Sequence, residues 1–242
     1  MPWYYAVAER DHDLQNPTSP EKIRQLGELL RLGPETRVLD VACGMGGPAM
    51  LLAATFGCRI VGVERSPDFV AQGRERIAAS GLADRIEIVE GDARAYPLES
   101  EAWDAALCLG ATFVFDDLDG TLDALVPTVR HGGMVAVGEP YWREWPLRRD
   151  VDDMGYVPMR ETIERIERHG LALTGLIAAS VDDWDRYESL HWRALEEYLA
   201  EHDDPEIRAR HEQERDAYLR WQRELMGWAI FVGRRADDSR LL

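Results

Sequence analysis

Basic residues are scarce in this chain. Its 242 residues carry 28 Lys and Arg against 45 Asp and Glu, for a net charge of −17. Nucleic-acid binding depends on cationic side chains that neutralise phosphates, so a field of this sign argues against it. It argues equally against an anionic membrane surface. The best basic run, residues 143–149, is broken by Glu144, Trp145 and Pro146. Cysteine is scarce too. Cys43, Cys58 and Cys108 form no C-x-x-C pair and no signal-peptide pattern precedes them, so a disulfide scaffold is excluded and a reducing cytoplasm is expected. Their simplest role is as small buried residues at strand ends, because a zinc site needs more converging ligands; no metal is expected. No run of 18 apolar residues occurs, so no transmembrane helix is expected.

What the chain does have is a strand-turn-helix pattern at Val38-Leu39-Asp40-Val41-Ala42-Cys43-Gly44-Met45-Gly46-Gly47-Pro48-Ala49. An apolar run ends in an acid, and glycines then allow backbone to approach a ligand closely. Open α/β sheets hold nucleotide-like cofactors at such turns. Glu64 closes the next apolar run, 20 positions after Gly44, where a carboxylate can accept from a ribose diol. Gly44-x-Gly46-x-x-Ala49 also fits a dinucleotide fingerprint, which leaves an NAD-linked dehydrogenase as one alternative. Asp40 weighs against it, since a carboxylate at the mouth of the site repels pyrophosphate and attracts an ammonium group. Gly91-Asp92 follows the third strand, placed to accept from an adenine amine.

Together these residues resemble the class I S-adenosylmethionine-dependent methyltransferases over roughly residues 36 to 140. Asp40, Gly44 and Gly46 match the family's first motif, Glu64 its ribose acid and Asp92 its adenine acid. Four further segments are similar to an uncharacterised bacterial group of small-molecule methyltransferases: Asn16-Pro17, Gly138-Glu139-Pro140-Tyr141-Trp142-Arg143, Trp184-Asp185-Arg186-Tyr187-Glu188 and Gly227-Trp228. The resemblance implies S-adenosyl-L-methionine as cofactor, a small-molecule acceptor, and a Rossmann-like α/β fold. That fold is a seven-stranded, mostly parallel sheet whose last strand is antiparallel. Arg65, Ala93 (through its backbone N–H) and Cys108 join the implied cofactor residues. A sulfonium-dependent cyclase, or a protein that keeps the sulfonium as a scaffold, would share every cofactor residue; a non-catalytic binding or interaction protein, with affinity for neither cofactor, is a further alternative. Oligomeric state is left open.

Strict alternation predicts strand 37–41, helix 46–56, strand 58–64, helix 67–80, strand 85–90, strand 103–109, helix 118–129 and strand 133–139. A helix near 158–169 and strands 171–179 and 227–233 follow, with a frayed tail at 234–242. One domain is expected: a core of 36–180 and 227–233, an N-terminal helical extension (1–35) and a helical insertion (181–226) broken near Pro205. The insertion's apolar stripe must be buried against something, and the extension is the preferred partner, the two forming a lid.

In-line methyl transfer needs alignment more than acid–base chemistry: orientation supplies roughly 7–11 kcal/mol, a general base about 3–5. Acceptor-side candidates are correspondingly weaker. Glu139, at the end of the fifth strand, is a catalytic or structural carboxylate. His12 is the histidine chosen as base, against an exposed or capping role. Tyr141 and Trp142 are candidates for an aromatic substrate wall or for packing, and Tyr187 and His191 for pocket or core. Arg186 is expected to pair with nearby acids. His131 and His169 are expected to be structural.

Overall fold

The computed structural model describes residues 4–145, 151 and 154–236. Two sequence features, Arg148 and Arg149 of the basic run and the tail beyond residue 236, lie outside the described residues.

The core alternates β1 (Arg37–Val41), α3 (Gly47–Phe56), β2 (Arg59–Glu64), α4 (Pro67–Ala79), β3 (Ile86–Glu90), β4 (Trp103–Leu109), α5 (Leu118–Leu125) and β5 (Val129–Trp142). Before it come α1 (Tyr4–Ala8) and α2 (Pro20–Leu29); after it come α6 (Met159–Arg168) and β6 (Leu171–Ala178). Then follow α7 (Val181–Glu201), α8 (Pro205–Ala217), a π turn (Tyr218–Gln222), α9 (Arg223–Leu225) and β7 (Met226–Arg235). Local chemistry sets many of these boundaries. Ser19, Ser66, Ser180 and Asp204 each cap a helix by accepting from a backbone N–H in its first turn, and Pro20, Pro67 and Pro205 occupy early positions where no N–H is needed.

The sheet order is β3-β2-β1-β4-β5-β7-β6, with β7 antiparallel to both neighbours and the remaining pairs parallel. This is the seven-stranded Rossmann-like arrangement that the resemblance implied. Chain connections reverse direction between β1 and β4, so a crevice opens beyond their carboxyl ends. One face of the sheet is covered by α2, α3 and α4 through Ile23, Leu26, Leu52 and Ile77. The other is covered by α5 and α6 through Leu118, Leu122 and Ile166.

Three boundaries differ from expectation, the first being that β7 runs through Arg234 and Arg235, expected in the frayed tail, because they pair with Met134, Ala172 and Leu171. The helix expected to run to 129 stops at Leu125, where a 3₁₀ turn (Val126–Thr128) contains Pro127; proline cannot donate the next helical hydrogen bond. The fifth strand extends well past 133–139 because β5 pairs with β7 continuously from Met134↔Arg234 to Trp142↔Met226.

The segment between β6 and β7 leaves the sheet and meets the N-terminal extension. Tyr4, Val7 and Ala8 pack with Leu195, Leu199 and Ile207 in a small core of their own. Arg10 pairs with Glu197, and Arg210 stacks 4.1 Å above the Tyr4 ring. These two stretches of chain together form a roof over the crevice.

Candidate functional site

The glycine turn after β1 is built for close contact from above. Gly44 has φ +57°, a conformation that side chains disfavour. A Cβ there would lie 2.1 Å from Gln15 Oε1, and one at Gly47 would lie 1.9 Å from the Asp13 carbonyl oxygen. The segment 13–16 therefore lies as a strap directly on the turn. Gln15 Oε1 accepts from the Met45 N–H at 2.7 Å, while Gln15 Nε2 donates to Glu9 at 2.5 Å. The glycines serve the strap as well as any ligand.

Beneath the strap is a cleft of about 610 Å³, within the range that holds small ligands. Asp40, Cys43, Gly44, Glu64 and Arg65 line it from the β1 and β2 ends. Gly91, Asp92 and Ala93 contribute from the loop after β3, and Leu109 and Gly110 from β4. The roof supplies Tyr5, Glu9, Gln15, Trp184 and Tyr187, with Pro140 and Trp228 from β5 and β7. Phe113, exposed at the rim, marks the mouth.

Two carboxylates dominate the inner wall. Asp40 is almost wholly buried, and burial together with the neighbouring Glu64 pushes its carboxyl up to about 7. Glu64 accepts from the Gly44 N–H (3.0 Å) and the Ser66 N–H (2.8 Å), which fixes it across the turn. Asp92 is exposed and accepts from the Arg94 N–H at 2.9 Å. The cleft thus brings together Asp40, Gly44, Glu64, Arg65, Asp92 and Ala93 from the expected cofactor set, and Tyr187 from the expected acceptor set.

Other expected residues lie elsewhere. Gly46 starts α3 with φ +74° and sits below the turn near Ile77 and Ile88. Cys108 is fully buried on the opposite face, where burial pushes its thiol up to about 12; the next residue, Leu109, reaches the cleft instead. The same two-residue period of a strand corrects β5: Pro140 faces the cleft, whereas Glu139 and Tyr141 face away. Tyr141 packs in the far core, with its ring against Gly227. Trp142 is buried against Trp221 and Leu225 at the end of the sheet. The expected aromatic wall is therefore not made by Tyr141 and Trp142; Tyr5, Trp184, Tyr187 and Trp228 take that place.

Glu139 is buried, accepts from Thr112 Oγ1 at 2.7 Å, and is pushed up to about 7 by burial. It lies outside the cleft lining. His12 also lies outside it: only 2% exposed, it sits behind Tyr187 and its Nε2–H donates to the Tyr187 carbonyl oxygen at 3.1 Å. Burial, aided by His191 at 4.6 Å between ring centres, pushes it down to about 4. A buried ring that already donates to backbone makes a poor base for an acceptor in the cleft. His191 is buried beside it, with Nε2 3.8 Å from Glu9 Oε1, and it too lies outside the lining. Arg186 donates to the Thr18 carbonyl oxygen rather than pairing with acids.

Glu9, Gln15 and Trp184 are cleft residues that sequence reasoning overlooked. A usable signal was present for Glu9, since Tyr5 and Glu9 stand four apart and share one face of a helical turn, the Glu9 N–H bonding the Tyr5 carbonyl at 3.0 Å.

The arrangement of this site and fold recurs in solved proteins. An S-adenosylmethionine-dependent methyltransferase from Geobacter sulfurreducens, crystallised with S-adenosyl-L-homocysteine, superposes with a TM-score of 0.89 and 34% identity. The match covers 96% of this chain and 98% of that one. The chain belongs to the S-adenosylmethionine-dependent methyltransferases. A "Methyltransferase domain" family model matches this methyltransferase over residues 38–133, from β1 into β5. YjhP of Escherichia coli superposes with a TM-score of 0.90 at 29% identity, covering 98% of the methyltransferase and all of YjhP. The sterol 24-C-methyltransferase of Eremothecium gossypii is 29% identical over 48% of the methyltransferase, which spans only 30% of that enzyme. No helix among the described residues is long and apolar enough to cross a membrane.

Proposed function

We propose that this methyltransferase binds S-adenosyl-L-methionine across the ends of β1, β2, β3 and β4 and methylates a small-molecule acceptor under the roof. The observation that carries this reading is the buried Asp40–Glu64 pair beside the glycine turn. Two carboxylates facing a cleft, one of them strongly desolvated, suit a ligand that brings its own positive charge. They disfavour the pyrophosphate of a dinucleotide. When bound, the cofactor supplies an activated methyl group on a sulfonium.

The chain's residues then have to hold, orient and exclude water. Asp40 would meet the cofactor's ammonium, Glu64 its ribose and Asp92 its adenine amine, with the Ala93 N–H beside it. Tyr5, Trp184, Tyr187 and Trp228 would close the acceptor side, and keeping the reactants aligned and dry accounts for most of the acceleration such a reaction needs. The roof, residues 4–16 with α7 and α8, acts as a lid, while α2 of the N-terminal extension belongs to the sheet's covering layer. Three cysteines buried without disulfides agree with a reducing compartment, and we assign the enzyme to the cytoplasm.

Isothermal titration tests the reading. S-adenosylhomocysteine is expected to bind, and Asp40→Asn to weaken it by at least about tenfold, the worth of one charge-assisted hydrogen bond. Binding of NADH with no affinity for S-adenosylhomocysteine would overturn it.

A further inference from the structure

Among the described lining residues, the roof end of the cleft pairs a carboxylate with aromatic rings and carries no Lys or Arg. Glu9 is 8% exposed yet lines the cleft. Gln15 (2.5 Å) and the Tyr187 hydroxyl (3.1 Å) donate to opposite oxygens of its carboxylate, and Gln15 also bonds the Met45 N–H. The carboxylate is therefore fixed relative to the glycine turn rather than swinging freely. Two hydrogen bonds leave further lone pairs on it unused.

Beside it the Trp184 and Tyr187 rings meet nearly at right angles, 78° between planes and 6.3 Å between centres, and both line the cleft. Such a corner presents ring faces on two sides of one space. Among the described lining residues the only basic ones are Arg65 and Arg94, on the β2 and β3 loops. Arg94 is committed to Asp116 and the Val114 carbonyl. Arginines nearer the roof are also engaged, Arg10 with Glu197, Arg193 with Asp11 and Arg186 with the Thr18 carbonyl. His12 stays neutral near pH 7 because burial holds it near 4. The basic group nearest Glu9 is the His191 ring, whose Nε2 stands 3.8 Å from Oε1, beyond hydrogen-bond reach and outside the cleft lining, so the cleft side of the carboxylate is left for a ligand's cation to meet.

We infer that the roof end of the cleft is a receptor for an organic cation: an acceptor whose protonated amine lies in the Trp184–Tyr187 corner against the Glu9 carboxylate. This rests on the methyltransferase reading, since it assigns the acceptor's side of the same cleft. Carboxylate plus ring faces is the chemistry that distinguishes an ammonium from a neutral group of the same shape.

The test uses the full chain with S-adenosylhomocysteine bound, titrated with paired probes: butylamine against butanol, cyclohexylamine against cyclohexanol, 2-phenylethylamine against 2-phenylethanol. At least one amine should bind about tenfold or more tightly than its alcohol, the sum of charge pairing and cation–π attraction. Glu9→Gln should reduce that ratio to below about threefold while S-adenosylhomocysteine still binds, which also shows that the variant is folded. Tyr187→Leu should lower amine affinity by about fivefold and leave alcohol affinity alone. Amines no better than alcohols, or a preference that survives both substitutions, would overturn the inference and leave the methyltransferase reading intact. Failure of S-adenosylhomocysteine itself to bind would instead overturn that underlying reading.

Discussion

The inner and outer halves of the cleft are built in opposite ways. The inner half comes from the carboxyl ends of consecutive strands and the turns that follow them: Asp40 in β1 and Gly44 after it, Glu64 closing β2 and Arg65 after it, Asp92 and Ala93 after β3. The outer half joins Tyr5, Glu9 and Gln15 to Trp184 and Tyr187, residues about 175 positions apart in the chain. Local geometry fixes the first; a small separate core fixes the second. On the proposed reading, cofactor handling is written into short motifs, while acceptor handling depends on two remote segments meeting correctly.

The sharpest way to break this division is at the strap, where the halves touch. Gly47→Val would drive side-chain atoms into the Asp13 carbonyl, 1.9 Å from the site of the added Cβ. We expect a loss of about 3 kcal/mol in urea-unfolding stability, as for overpacked sites, with loss of S-adenosylhomocysteine binding. Wild-type stability and binding in this variant would show that the strap is dispensable.

How much was legible follows the same division. The pattern from Val38 to Ala49, with Glu64 and Asp92, identified the inner half because each residue's position follows from its place in a strand-turn-helix unit. Helical spacing revealed the insertion and its break at Pro205, but not which side chains face the cleft. His12 and Glu9 are three residues apart, and the chain turns Glu9 inward and His12 behind Tyr187. Wall and packing stayed open for Tyr141 and Trp142 because the exact register of β5 decides which face each occupies, and β7 sets that register from 84 or more positions away. Cys108 and Leu109 show the same one-residue sensitivity.

The next comparison is electrostatic. Asp40 carries its charge only above about 7, so a cationic cofactor should bind more weakly as pH falls through that value. Affinity for S-adenosylmethionine should drop by up to about tenfold per pH unit below 7. A flat profile from pH 8 to 5.5 in titration calorimetry would contradict the role given to this carboxylate.

Glu139 supplies the contrast outside the cleft. Its carboxyl is raised to about 7 from an ordinary value near 4.5, so between those values the folded protein holds more protons than the unfolded chain. Stability therefore falls as pH rises through that window. Glu139→Gln should remove this fall, gaining about 2 kcal/mol over wild type at pH 8 and little at pH 4.5. Thermal melts at the two pH values check it; a constant difference would point to packing instead.

The smallest effect is expected at Tyr187→Phe. Losing one of two donors to Glu9 should cost about 1 kcal/mol of stability or of amine affinity, with the ring wall kept. An effect as large as that of Glu9→Gln would mean that the hydroxyl itself meets the acceptor.

The Gln15 amide touches both the loop proposed to meet the nucleoside and the acid proposed to face the acceptor. Whatever settles that loop also settles the acid, so the second ligand should find its berth finished only after the first has docked. Hydrogen exchange can follow this: S-adenosylhomocysteine should slow amide exchange along residues 4–16 and across α7, far beyond its own footprint. Protection confined to the loops after β1, β2 and β3 would mean that the two berths mature independently.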